Sequence, residues 1–118
     1  MQHQIVILDS QALSRNGLRV LVEQMGIVAG QVHDFADPEA VMGYLESTSV
    51  RVLLLSDQVA GGYDVVELVQ ELHRHHRELG LIVVGIRLNT AYIGALFAGG
   101  ISGYVYHRSK LEETVPAA

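Results

Sequence analysis

Short, unbroken apolar runs alternate along this chain with longer segments whose apolar positions recur every three or four residues. Ile5-Val6-Ile7-Leu8 is β-branched and continuous, the pattern of a strand buried on both faces of a parallel sheet, and it stops at Asp9. Leu18, Leu21, Val22 and Met25 then follow helical spacing, with Gly26 where a C-terminal glycine belongs, which predicts a helix over 12–25. Residues 30–35 are a weaker strand candidate. A second helix starts with Asp37 as N-cap and Pro38 at the first helical position, sets Val41, Tyr44 and Leu45 on one face, and ends near Ser47.

Val52-Leu53-Leu54-Leu55 is the strongest buried-strand pattern, and it runs into Ser56-Asp57 and a loop holding Gly61-Gly62. Val65, Leu68, Val69 and Leu72 predict a third helix closed by Gly80, followed by a fourth strand over 81–86. A short helix over 90–98 should turn Ile93, Leu96 and Phe97 inward. Gly99-Gly100 breaks it, and 103–106 form a last strand. Ser109 with Glu112 three residues on makes a capping box that opens a fifth helix, which Pro116 disturbs. Strand and helix thus alternate five times, which predicts an α/β fold with a doubly wound parallel sheet and helices on both faces. Functional groups in such folds gather at the carboxyl ends of the strands.

Composition narrows the classes. A chain of 118 residues at 49% hydrophobic content supports one core and one domain over 1–118, with no internal repeat or low-complexity linker. The absence of cysteine excludes disulfides, thiolate metal sites and a cysteine nucleophile. No run is long enough for a signal peptide or a membrane span, so the expected address is cytoplasmic with no membrane partner. A net charge of −5 gives no basic footprint for a phosphate backbone, so this domain is not expected to hold DNA itself.

Asp9 and Asp57 carry the candidate chemistry, because each ends a buried strand. If those strands are neighbours, the two carboxylates share a crevice suited to a hard cation such as Mg²⁺, and one of them can act as a nucleophile. The competing interpretation is a pair of solvated or helix-capping acids. His73, His75 and His76 read as a solvated helix face rather than a zinc site. The turn Asp9-Ser10-Gln11-Ala12 has no glycine-rich phosphate loop, which disfavours a P-loop or dinucleotide site, and no catalytic triad has specific support.

Residues 5–18, the segment Leu54-Leu55-Ser56-Asp57-Gln58-Val59-Ala60-Gly61-Gly62-Tyr63-Asp64, and residues 92–104 together resemble receiver domains of LuxR/NarL-type two-component response regulators over nearly the whole chain. The resemblance implies the flavodoxin-like receiver fold with strand order 2-1-3-4-5 and a non-enzymatic regulatory module. It also implies phosphorylation of Asp57 by a sensor histidine kinase, a switch aromatic at Tyr104, homodimeric output, and a helix-turn-helix DNA-binding domain downstream of this chain.

Three positions depart from that pattern. The adjacent acidic pair after the first strand is Asp9-Ser10, the hydroxyl residue ending the fourth strand is Gly85, and the lysine after the fifth strand is His107. Loss of one unit charge at ~4 Å from a cation removes up to about 4 kcal/mol at an effective dielectric near 20, so Mg²⁺ is expected to bind weakly through Asp9 and Asp57. An imidazole at 107 is mostly neutral at pH 7 unless an anion raises its pKa of about 6.5. Three readings remain: a receiver phosphorylated on Asp57, an atypical receiver signalling through protein contacts or a bound small molecule, and a flavodoxin-like enzyme or cofactor-binding domain using the same crevice.

Overall fold

The computed structural model describes residues 4–27, 31–57 and 64–106. Its elements run β1 (Ile5–Leu8), α1 (Ala12–Gln24), β2 (Val32–Phe35), α2 (Pro38–Ser47), β3 (Val52–Ser56), α3 (Val65–His75), β4 (Gly80–Gly85), α4 (Thr90–Gly99) and β5 (Gly103–Tyr106). The strands form one parallel sheet in the order β2-β1-β3-β4-β5. That is the topology implied by the resemblance. The fifth helix at 109 onward lies outside the described residues, as do the Gly61-Gly62 loop and His107.

Alternation within the strands assigns the two faces. Val6, Leu8, Leu53, Leu55, Leu81 and Val83 join the larger core with Val41, Leu45, Val65, Leu68, Val69, Leu72 and Leu96 from α2, α3 and α4. Ile7 points the other way, into a smaller cluster with Val22 and Val32, flanked by Leu18 and Leu54. The strands read as continuously apolar because both faces are covered. Burying each such side chain stabilises the fold by about 1.5–3 kcal/mol.

Helix ends follow local chemistry. Asp37 accepts from the Glu39 N–H at 3.3 Å at the start of α2, and Asp64 accepts from Val66 at 2.8 Å and Glu67 at 3.3 Å at the start of α3. In α3 the buried Val65, Leu68, Val69 and Leu72 fall at i, i+3, i+4 and i+7, the spacing of one helical face. At the end of α4, Gly100 takes φ +119°, and its N–H and that of Ile101 return to carbonyls in the last turn. The left-handed conformation there favours glycine.

Two expectations are corrected. Gly80 does not close α3, which ends at His75 with His76 as C-cap; it begins β4, pairs with Val52 and donates to the Arg51 carbonyl at 2.9 Å. A Cβ at 80 would lie 3.3 Å from that carbonyl, so the glycine serves close strand approach. Phe97 does not turn inward, being 48% exposed, while Leu96 is fully buried. The helix is apolar on nearly every side, so its sequence carried no directional signal.

Candidate functional site

The carboxyl edge of the sheet brings β1 and β3 side by side, with Leu8 in register with Leu55. Asp9 and Asp57 therefore leave adjacent strands at the same edge. Asp9 is 0% exposed and Asp57 7%, so neither is the solvated acid of the competing interpretation. Backbone bonds extend past the strands and fix both positions: the Asp9 N–H donates to the Phe35 carbonyl at 3.1 Å, and the Asp57 N–H to the Val84 carbonyl at 3.0 Å. Asp9 does hold the turn before α1, since its Oδ1 accepts from the Gln11 N–H at 2.9 Å, while Arg15 donates to its carbonyl at 2.9 Å. Ser10 follows, half-buried.

Each acid retains a buried oxygen, Asp9 Oδ2 and Asp57 Oδ2, with no hydrogen-bond partner among the described residues. Unpaired buried acceptors are costly and call for a complement. Two such oxygens suit a hard cation, so Mg²⁺ fits here through Asp9 and Asp57. No cluster of three or more metal-ligating His, Cys, Asp or Glu occurs among the described residues. His75 Nε2 instead lies at hydrogen-bond distance from Glu71 Oε1, 3.0 Å, and the His73 ring packs where a side chain on Gly100 would stand.

Burial raises the Asp57 carboxyl above its ordinary range. The Arg87 charge, the Ile86 backbone N–H and the Tyr92 side chain pull it back, and Asp9 pushes it further up. Burial and the Asp57 charge also raise the Tyr104 phenol. Tyr92 is pushed up to about 12, chiefly by burial and next by Asp57.

Gly85 borders the same place. A Cβ there would stand 2.3 Å from Asp57 Oδ2 and 2.3 Å from the Tyr104 hydroxyl, closer than atoms can pack. The Tyr104 phenol thus fills the space that a side chain on Gly85 would need, and it donates to the Arg87 carbonyl at 2.7 Å. Tyr104 also meets Tyr92 edge to face, with ring centroids 6.4 Å apart. Of the residues singled out in the sequence, Asp9, Ser10, Asp57, Gly85 and Tyr104 come to one edge.

Arg87 and Tyr92 were not anticipated. The Arg87 guanidinium lies over the Tyr92 ring, 4.5 Å from its centroid. The available signal was position alone, since both follow the carboxyl end of β4, where folds of this class place ligand-contacting groups.

The chain matches no family model and no curated protein. Among solved structures it is similar to the isolated receiver domain of RcsB from Salmonella enterica serovar Typhimurium with a phosphomimetic BeF3−, at a TM-score of 0.77 and 24% identity over 90% of this chain and 78% of that one. RcsB from the same organism bound to promoter rprA with BeF3− gives 0.79 and 25%, covering 93% of this chain and 64% of that one. A CheY-like response regulator receiver domain protein from Methanospirillum hungatei gives 0.78 and 14%, covering 96% and 87%. The chain spans just under two thirds of the RcsB chain in the promoter complex. Its fold is the flavodoxin-like fold of response regulator receiver domains.

Proposed function

We propose that this chain is the receiver domain of a two-component response regulator that accepts a phosphoryl group on Asp57 from a sensor histidine kinase or a small acyl phosphate. The observation that carries this is the nearly buried Asp57 carboxylate at the end of β3, with an unpaired oxygen in a crevice shared with Asp9. In the transfer, an Asp57 oxygen attacks phosphorus. The bond from phosphorus to the donor breaks as the new P–O bond forms, and the donor leaves with its electron pair. Mg²⁺, when bound, supplies charge shielding, and Asp9 and Asp57 would hold it. Ser10 contributes a neutral hydroxyl where a carboxylate is usual, which is consistent with weak affinity.

A second reading has its own support. Tyr104 is already held inward by the Arg87 carbonyl, and Gly85 provides no hydroxyl to couple it to Asp57. On that reading the domain signals through protein contacts in one fixed state. The similar RcsB was seen bound to promoter DNA, and on either reading DNA contact in a parent protein would fall to a region other than this acidic domain. No described helix is long and apolar enough to cross a membrane.

Incubation with acetyl phosphate and Mg²⁺, followed by intact-mass measurement, tests the first reading. A phosphoryl adduct lost in Asp57→Asn supports it. An unmodified wild type under conditions that label an ordinary receiver supports the second.

A further inference from the structure

The crevice contains a phenol that favours the Asp57 charge without completing a hydrogen bond to it. The Tyr92 hydroxyl is buried without a hydrogen-bond partner among the described residues, and the neighbouring Asp57 Oδ2 is likewise unpartnered. The two groups interact, since the phenol favours the charged carboxylate and the carboxylate in turn disfavours ionisation of the phenol. Tyr104 cannot take this role at rest, because its single hydroxyl proton is committed to the Arg87 carbonyl at 2.7 Å.

The backbone at Tyr92 is tied down. Asn89 caps α4 by accepting from the Tyr92 N–H at 2.9 Å, and Arg87 stacks on the ring. With its pKa near 12, the phenol remains a donor throughout the physiological range. Gly85 supplies no side-chain hydroxyl to an anion seated on Asp57, which leaves a side-chain donor to come from another element. A phosphoryl oxygen is a strong acceptor, and an unpaired phenol next to its attachment point is the complementary group.

We propose that the Tyr92 hydroxyl is the hydrogen-bond donor to the anionic group carried by Asp57, with Arg87 fixing the ring and adding positive charge. This rests on the reading of Asp57 as the phosphoacceptor and assigns the contact that Gly85 cannot make. Tyr92 lies on the first turn of α4, not on β5, so the anion would bind this arm without moving Tyr104.

The test uses beryllofluoride with Mg²⁺ on the full chain, wild type and Tyr92→Phe, with affinity measured by calorimetry and thermal melting followed with and without the anion. Loss of a hydrogen bond to a charged group should weaken beryllofluoride binding about tenfold or more. Melting without the anion should be almost unchanged, while the stabilisation conferred by the anion shrinks. A 3-fluorotyrosine resonance assigned to position 92 should also shift on binding. Equal affinity in wild type and Tyr92→Phe overturns the proposal and leaves Asp57 as the anion's site. A wild type that binds no beryllofluoride overturns the phosphoacceptor reading and this inference with it. A Tyr92→Phe chain that melts lower yet binds equally well shows a merely structural role, which also overturns it.

Discussion

Asp57 is kept in a setting that penalises its own charge. Because burial raises its carboxyl pKa, the native state holds that proton more tightly than the unfolded chain does. The associated stability is present below the unfolded value and is lost as pH rises through the folded value, so at neutral pH the ionised acid works against the fold. Asp57→Asn should therefore raise the melting temperature at pH 7 by a few degrees, and the gap should close as pH falls toward the carboxylate range. A calorimetric scan at pH 4 and pH 7 checks both halves of that statement. Asp57 and Asp9 were legible as candidates because each terminates an apolar run. Their burial was not, since a sequence shows where a strand stops but not what closes over its end.

Elements follow the sequence where local chemistry is unambiguous. Asp37-Pro38 announced α2, and the spacing of Val65, Leu68, Val69 and Leu72 announced the buried face of α3. The Asp64 side chain bonds two N–H groups of α3, so Asp64→Ala should cost about 1 kcal/mol, read as a lower urea midpoint at unchanged slope. Elsewhere the local signal pointed the wrong way or nowhere. Gly80 resembles a helix stop but serves the approach of β4 to Arg51, and the inward side of α4 was hidden by its uniform apolarity. Arg87 and Tyr92 meet across a helix start, five residues apart, and no periodicity argument pairs them.

At the scale of the molecule, strand order was legible only through the resemblance, because alternation predicts a parallel sheet without saying which strands are neighbours. The order found puts β3 between β1 and β4, which is why Asp57 meets both Asp9 and Gly85. If output is dimerisation, Tyr104 already turned inward leaves little for phosphorylation to change, since a ligand shifts a two-state equilibrium only by its differential affinity. Beryllofluoride should then alter the dimer dissociation constant by less than about tenfold in sedimentation velocity, which corresponds to ~1.4 kcal/mol. If His107 stands where the family's lysine does, as the resemblance implies, any residual effect should be larger at pH 6 than at pH 8 and should vanish in His107→Ala, because an anion near an imidazole favours its charged form and that contact would fade above neutrality. A large shift independent of pH and of His107 would show that the pocket switches in the ordinary way.

The close packing around Gly85 also constrains how this pocket could change over generations. A hydroxyl cannot be introduced at position 85 without displacing its neighbours, because Gly85→Ser places its first carbon against both Asp57 and Tyr104. Crowding of that kind costs about 1–3 kcal/mol. Once Tyr104→Ala has made room, the same step meets only the carboxylate and should cost less. The two positions are therefore epistatic, and the order in which they mutate decides whether an intermediate is tolerated. A double-mutant cycle on stability should give a coupling of at least about 0.5 kcal/mol, the level that separates interacting from independent sites. Strict additivity would mean that Gly85 and Tyr104 can change freely, with no ratchet between them.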